Sequence, residues 1–539
     1  MTQPGVPPDT ARAHLLALAQ AERVWDLAVI GGGATGLGLA LDAAARGFSV
    51  VLLEAEDFAS GTSSRATKLV HGGVRYLAQG NVALVREALH ERATLLANAP
   101  HLAQPLAFVM PAYRLWEAPF YGVGLKMYDA LAGSRGLGAT EFLSAARTRE
   151  LLPTVQAKGL AGGVKYWDGQ FDDARLAVAL ARTAAARGAV LLNHCPVTSL
   201  LREGGQVVGL NARDAASGAE LRIAAKCVVN ATGVWVDDLR NMDRAAGEPA
   251  GPGIVAPSQG VHLVVDRAFL PGTHALLVPK TEDGRVLFAV PWLGKTILGT
   301  TDTPRADVVR EPVPFAEEVQ FILRESARYL TKAPTRADVR SVWVGLRPLV
   351  RSGGADSDGG DNTKQLSREH TVLVGRSGLV TVTGGKWTTY RAMAEDVLER
   401  CFDRGLLPRR AGGVTVKLPL AGALAHASVS ITASPGEHLY GSEAALLRSL
   451  PGADHWLWRE GEGGLSEAMV RFAVRYEMAL SVEDVLARRS RLLFLDAAEA
   501  QRQAGAVAKI LAEELGRGFD AADSQRSFEA LAAQYQHLP

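Results

Sequence analysis

Trp25-Asp26-Leu27-Ala28-Val29-Ile30-Gly31-Gly32-Gly33-Ala34-Thr35-Gly36 opens a stretch that closes at Ser49-Val50-Val51-Leu52-Leu53-Glu54. Residues 25–30 read as a buried strand. Gly31–Gly38 is a glycine-rich turn, Leu39–Arg46 continues as helix, and Gly47 ends it. Ser49–Leu53 is a second strand with Glu54 at its tip. The whole is one βαβ unit with a right-handed connection. Gly31 permits the tight turn, Gly33 lets the backbone approach a pyrophosphate, and Gly36 allows the helix to pack closely on the strand. The helix start offers unpaired N–H groups and the positive end of its dipole. Glu54, eighteen residues past the last of the three glycines, takes ribose hydroxyls. GxGxxG alone is a weak signal. With a strand before it, a helix after it and an acid at that distance, it predicts a dinucleotide site and hence an α/β fold.

This motif does not separate FAD from NAD. Two later features favour FAD. Ala231-Thr232-Gly233 ends a buried strand, Cys227–Asn230, which returns the chain to the same sheet. Gly384-Gly385-Lys386 follows a strand and opens a helix running to about Arg404, a second helix start able to face an anionic group. Elsewhere, periodicity predicts helices at 82–96, 173–187 and 314–330. Val207–Asn211 and Leu221–Ile223 read as a hairpin. Residues 260–300 read as alternating strands, as do 372–374 and 379–382. Segment 353–363 is a polar Gly/Asp loop by composition. Beyond Gly412, helical segments are expected at 442–450, 465–478, 481–489 and 497–514, forming a separate helical domain.

The chain has 539 residues, room for two to four domains of ~100–200 residues each. Apolar residues are 47% and charged residues 21%, which excludes a disordered chain. Lys and Arg total 58 against 57 Asp and Glu, a net charge of +1, so nucleic acid is not an expected partner. The three cysteines, Cys195, Cys227 and Cys401, show neither a disulfide framework nor metal-ligand spacing, so no metal is expected. No run approaches the ~18 apolar residues of a membrane span. Leu15–Ala19 imitates a short signal-peptide core, but Asp9 offsets Arg12 and the run is too short, so 10–22 is read as a helix.

Between these elements the residues become familiar. Thr62-Ser63-Ser64-Arg65-Ala66-Thr67-Lys68-Leu69-Val70-His71-Gly72-Gly73-Val74-Arg75-Tyr76-Leu77 resembles the signature of FAD-dependent glycerol-3-phosphate dehydrogenases. Asp172-Asp173-Ala174-Arg175-Leu176, Gly299-Thr300-Thr301-Asp302, Gly345-Leu346-Arg347-Pro348-Leu349 and Gly384-Gly385-Lys386-Trp387-Thr388-Thr389-Tyr390-Arg391 resemble further blocks in the expected order. Arg475-Tyr476-Glu477 with Asp484–Arg489 resembles the family's helical tail. The resemblance covers about residue 24 to the mid-510s.

It implies an α/β fold: a Rossmann-like FAD-binding domain of the glutathione-reductase/D-amino-acid-oxidase type, a β-rich substrate domain and a C-terminal helical domain. The expected division is an N-terminal extension at 1–24, a discontinuous FAD-binding domain at 25–100, 150–258 and 370–410, a substrate domain at 101–149 and 259–369, and the helical domain at 413–539. By position, Gly31, Gly33, Gly36 and Glu54 hold the adenosine end of FAD. Thr62, Ser63, Ser64 and Lys68 line its diphosphate and flavin region, and His71, Gly72 and Gly73 approach the ring system. Val197 meets adenine through its backbone, while Ala231, Gly233, Gly385 and Thr388 complete the cofactor set. Arg75, Tyr76, His262, Arg347, Arg368 and Lys386 line the substrate pocket, with His262, Arg347 and Lys386 as catalytic candidates.

Elementary chemistry agrees with that last set. A phosphate monoester carries about two negative charges near neutral pH, and its pocket wants Arg forks and a Lys point charge. Arg347 and Lys386 sit beside Pro348 and two glycines, turn positions that present a side chain at a sheet rim. His262 has an intrinsic pKa suited to proton transfer, whereas an Arg is too basic to accept a proton. The expected reaction oxidises the C2 hydroxyl of sn-glycerol 3-phosphate to dihydroxyacetone phosphate, with electrons passing from FAD to a membrane quinone. An oxidase making hydrogen peroxide is the alternative. A flavin amine oxidase or a non-catalytic flavin-binding protein stays further off, since neither explains the cationic set. Quinone access implies a cytoplasmic protein bound peripherally to membrane. Residues 10–22 are one candidate contact, with packing onto the core as the other reading. The resemblance also admits a homodimer.

Overall fold

The structure is a computed structural model that describes residues 12–20, 22–73, 77, 81–244, 249, 251–282, 284–351 and 370–539. Strand Val24–Ile30 forms with almost no exposed surface after Val24, because its apolar run is sandwiched in a sheet. It lies between Glu220–Asn230 and Val50–Leu53, all three parallel, with Val29 opposite both Val229 and Leu52. Val190–Leu192 extends the sheet beyond Val50–Leu53, and Val380–Thr383 and Thr371–Val374 close the other side. Helix Ala34–Ala45 follows the glycine turn directly and is buried from Gly36 to Ala44. A helix apolar on nearly every side belongs inside, and its one buried acid, Asp42, pairs with Arg46 at 2.6 Å. It is covered by helices Asp173–Ala186 and Tyr390–Asp403.

The hairpin expected at 207–211 and 221–223 is present, but the strand expected separately at 227–230 is not a separate element. Glu220–Asn230 is one strand. Its first half pairs antiparallel with Gln206–Arg213 and its second half parallel with Val24–Ile30. Ala224-Ala225-Lys226 contains no turn residue that would interrupt it.

A second, ten-stranded sheet stands beside the first. Its centre is Val255–Asp266, paired antiparallel with Lys295–Gly299 on one side and Val339–Val350 on the other. Two pieces expected in the cofactor domain belong here instead. Leu69–Val70 pairs with Gly162–Phe171, which pairs along its length with Ala103–Ala112. Strand pairing crosses the expected boundary because Gly162 and Gly163 let neighbouring backbone approach where a Cβ would meet Leu143 O at 2.5 Å and Met110 O at 2.9 Å.

The C-terminal part is helical, with one short hairpin, Trp456–Glu460 and Gly463–Ser466. A final helix, Ala521–Gln536, was not among the expected segments. It buries Phe528, Leu531, Ala532 and Tyr535, spaced as one helical face. This region is not separate in packing. Leu492, Phe494, Leu511 and Phe528 belong to the same contiguous core as Leu27 and Val29 of the first sheet. At the other end, helix Arg12–Ala19 turns Leu15 and Leu16 onto the core, and Arg12 donates to Asn193 Oδ1 at 3.0 Å and pairs with Asp214. Residues 10–22 are therefore committed to the protein where they are described. Among the described residues no helix is long and apolar enough to cross a membrane.

Candidate active site

The two sheets meet at a cleft of about 1410 Å³. A single small-molecule site usually occupies ~300–1,000 Å³, so this cleft has room for a dinucleotide and a substrate together. One wall is the glycine turn. Gly31 has φ +110°, and a Cβ there would lie 2.6 Å from Ala231 O. A Cβ on Gly33 would fill the space beside Ser63 Oγ, which accepts from Ala34 N at 2.9 Å at the helix start. Glu54 Oε2 accepts from Gly32 N at 2.6 Å and Oε1 from Glu56 N at 2.9 Å. Burial pushes the Glu54 carboxyl up, and those two N–H donors work against the shift. Each carboxylate oxygen keeps a lone pair for a ribose hydroxyl. A backbone cradle, a helix start and an acid anchored by backbone amides fit a dinucleotide such as FAD.

The second wall comes from the ten-stranded sheet. His262 lies opposite Gly299 and Trp343 in its strand neighbours. Its ring stacks on buried Trp343, centroids 5.2 Å apart, and Nε2 is 2.9 Å from Thr67 Oγ1. His262 Nδ1 is buried, with no hydrogen-bond partner among the described residues. Burial, then the charges of Lys68 and Arg347, hold this imidazole well below its ordinary pKa, so it is neutral at pH 7. Arg347 Nη2 donates to Thr301 O at 3.0 Å, and Nη1 lies 3.3 Å from Asp302 Oδ1. Gly260, on the adjacent strand, leaves the space that the guanidinium fills. Lys386 enters after Gly384 and Gly385, both at φ near +80°, conformations that favour glycine.

The loop between the walls is fastened on several sides. Thr62 Oγ1 donates to Leu346 O at 2.6 Å, Trp387 Nε1 donates to Ser63 O at 2.8 Å, and Thr388 Oγ1 donates to His71 O at 3.4 Å. Gly72 N donates to Tyr128 Oη at 2.7 Å, and Tyr128 Oη donates in turn to Asp168, which pairs with Arg92.

Most residues singled out from the sequence converge on this cleft. Gly31, Gly33, Glu54, Thr62, Ser63, His71, Gly73, Val197, Ala231, Gly233, His262, Arg347, Gly385, Lys386 and Thr388 all line it. Four do not. Gly36 faces Gly31 O and serves packing. Gly72 faces inward to Tyr128 and Leu89. The Ser64 side chain is buried. Lys68, expected along the diphosphate and flavin, turns the other way: its Nζ sits 2.7 Å from both Asp173 Oδ2 and Ser64 O, with no exposed surface. A cation buried to that degree needs a fixed partner, and Asp173 supplies it beneath the loop. Arg75, Tyr76 and Arg368 lie outside the described residues.

Composition and spacing missed the supports of the site. Arg491, in the C-terminal region, donates to Ser64 O at 2.8 Å and pairs with Asp173 at 3.0 Å and Asp172 at 3.4 Å. Asp57, just past Glu54, is held by Arg488 at 2.5 Å and by Arg489. Burial alone would raise the Asp57 carboxyl, yet these two guanidinium groups bring it below its ordinary value. Asp57, His194 and Asp484 stand close enough to suggest a metal site, but Arg488 already bridges Asp57 and Asp484 with cationic charge. Arg175 pairs with Glu477 across the same seam at 2.7 Å. The signal was three arginines, Arg488, Arg489 and Arg491, within four residues and one turn past Asp484, in a stretch buried almost throughout.

Comparison with known proteins matches this architecture. Residues 26–391 match the family described as FAD dependent oxidoreductase, and residues 413–522 match the C-terminal domain of alpha-glycerophosphate oxidase. A mitochondrial glycerol-3-phosphate dehydrogenase of Arabidopsis thaliana is 41% identical over 94% of this chain and 86% of its own length. The mitochondrial glycerol-3-phosphate dehydrogenase of Homo sapiens is 39% identical over 94% of this chain and 73% of its own. Among solved structures, a glycerol-3-phosphate dehydrogenase of Bacillus halodurans complexed with FAD superposes with a TM-score of 0.76 at 30% identity, covering 98% of this chain and 99% of that one. Sharing both domains of that family and aligned with its members over nearly its full length, the chain belongs to the FAD-dependent glycerol-3-phosphate dehydrogenases.

Proposed function

We propose that this cleft oxidises sn-glycerol 3-phosphate to dihydroxyacetone phosphate and that the electrons leave to a membrane quinone. The observation that carries the reading is a buried, neutral His262 beside Arg347, on the wall facing the dinucleotide turn. FAD, when bound, supplies the acceptor for the hydride released from C2. The chain's own residues do the rest. Arg347 and Lys386 provide the positive charge that a phosphate dianion and a developing ketone oxygen need. His262 accepts the C2 hydroxyl proton, a role open to it because it is uncharged at neutral pH. Thr67, against His262 Nε2, fixes the ring's orientation. With Nε2 engaged by Thr67, Nδ1 is the ring nitrogen without a partner among the described residues.

The decisive experiment is anaerobic addition of glycerol 3-phosphate to purified holoprotein. Flavin absorbance is expected to bleach and to return on adding a quinone. A chain that stays yellow with this substrate would refute the reading. Reoxidation by oxygen as fast as by quinone, with peroxide formed in step, would make it an oxidase.

His262 carries its own prediction. His262→Ala is expected to slow flavin reduction about 10²–10⁴-fold, the usual contribution of a positioned base. Because the folded-state pKa is depressed, the base is available down to its lowered pKa. The acid limb of kcat/KM in the wild type, which reports the free enzyme, is therefore expected below pH 6.5, the value of an unperturbed imidazole. An acid limb at or above that pH, or an alanine variant with full turnover, would remove His262 from the role.

A further inference from the structure

Strand Val255–Asp266 presents its side chains to two faces in alternation. Gly260 and His262 turn to the cleft. Val261 and Leu263 turn the other way, into an apolar cluster with Val319 and Ile322 of helix Ala316–Tyr329. An acid, Glu318, is buried on that far face, in the first turn of the helix.

Glu318 accepts four hydrogen bonds. Oε1 takes them from Thr301 Oγ1 at 2.8 Å and Thr303 Oγ1 at 2.5 Å. Oε2 takes them from Gln259 Nε2 at 2.5 Å and Phe315 N at 2.9 Å. Gln259 and Thr303 stand opposite each other in paired strands. Arg305 Nη1 donates to Gln259 Oε1 at 2.7 Å, which leaves the amide nitrogen for Glu318. A carboxylate is costly to bury unless its oxygens are satisfied. Four donors and the positive end of the helix satisfy this one.

These bonds bear on the cleft through Asp302. Thr301 and Thr303 flank it in sequence, while Asp302 itself lines the cleft. There Ser258 Oγ donates to Asp302 Oδ1, and the same oxygen lies 3.3 Å from Arg347 Nη1. Thr301 is gripped at both ends. Its Oγ1 accepts from Val261 N at 3.0 Å and donates to Glu318, and its carbonyl accepts from Arg347 Nη2 at 3.0 Å. One carboxylate behind the sheet fixes, through two hydroxyls, two of the groups that aim the guanidinium.

We propose that Glu318 is a positioning residue of the reaction: it lies outside the cleft lining, and it sets Thr301 and Asp302 and, through them, the place where Arg347 meets the phosphorylated substrate. This rests on Arg347 acting as read above, and adds what holds it in register.

Glu318→Gln in full-length holoprotein is the test. The amide keeps an acceptor at one end, and the two donors at the other end face an NH2 group. On rapid mixing with glycerol 3-phosphate without oxygen, flavin is expected to bleach about 10–10²-fold more slowly, with the amplitude per bound flavin unchanged. Mere loss of structure would lower flavin content or amplitude and leave the rate of the intact fraction alone. Dihydroxyacetone phosphate, titrated against the oxidised holoprotein without turnover, is expected to bind about tenfold more weakly. Arg347→Lys removes the fork itself, so adding Glu318→Gln to it is expected to slow bleaching by less than about twofold more. Thr303→Val takes away one of the four bonds at a half-buried position. It is expected to move the same readings less far in the same direction, and it decides the matter if Glu318→Gln does not fold. Either variant bleaching at the wild-type rate, or a double variant whose losses multiply, overturns the proposal. Arg347→Lys at the wild-type rate would take Arg347 out of the reaction, and Glu318 with it. If wild type itself is not bleached, the functional reading falls first.

Discussion

Asp173→Ala is expected to destabilise the protein by roughly 3–5 kcal/mol and to release FAD on gel filtration. Asp173 faces two buried cations, Lys68 at 2.7 Å and Arg491 at 3.0 Å, and none of the three side chains is exposed. Removing the carboxylate leaves Arg491 with Asp172 as its remaining acid, and takes from Lys68, which burial already holds down to about 7, the neighbour that keeps it charged. A broken buried pair is worse than an exchanged one, because the survivor has no water to turn to. The loss also propagates. Asp173 Oδ2 accepts from Ala66 N at 3.0 Å, and Lys68 and Arg491 both donate to Ser64 O. The loop carrying Thr62 and Ser63 along the cleft would lose its floor. Denaturant unfolding and the flavin-to-protein absorbance ratio check this. Asp173→Asn, which keeps an acceptor for Ala66 N but no charge, should fall between. An alanine variant as stable and as yellow as wild type would show that the cluster holds nothing.

Gly36→Ala is expected to give an essentially colourless chain that weakens FAD by at least about tenfold, ~1.4 kcal/mol. A Cβ at residue 36 collides with the carbonyl oxygen of Gly31, which is backbone and cannot swing aside. Gly31 is itself confined, with Ala231 O where its own Cβ would stand. Relief must come from lifting the helix start off the strand, which withdraws the N–H groups facing the pyrophosphate. Overpacking of this kind typically costs ~1–3 kcal/mol of stability as well. Gly33→Ala is the informative comparison. Its new Cβ meets Ser63 Oγ at 3.0 Å, the end of a side chain that can turn away, so the effect should be smaller. Equal FAD titrations for Gly36→Ala and wild type would contradict the geometry.

What was legible in the chain follows from how local each signal is. The βαβ unit could be read because its glycines, apolar runs and Glu54 lie within thirty residues, and each obeys a rule of neighbours. The pocket residues His262, Arg347 and Lys386 were reachable because they stand in blocks resembling a known family, although they come from three distant stretches. Lys68 stood in such a block too and was misplaced. A residue's neighbours in sequence do not say which side of a loop its side chain takes, and here Asp173, 105 positions away, decides it. Arg491 was invisible for the same reason, since its bond to Asp173 spans 318 positions. The boundary drawn between cofactor and substrate domains failed at Gly162–Phe171 because strand pairing, unlike helix periodicity, is specified by partners elsewhere.

The reach of Arg491 into the loop beside Thr62 has an evolutionary corollary. A tail that merely decorated the oxidoreductase could be exchanged between relatives like a cassette. Here the tail contributes an anchor under the catalytic chamber, so a chimera inheriting Asp172 and Asp173 from one parent and residue 491 from another works only where the two lineages agree on that handshake. Mismatched hybrids should fail at cofactor retention, well before any question of substrate preference arises.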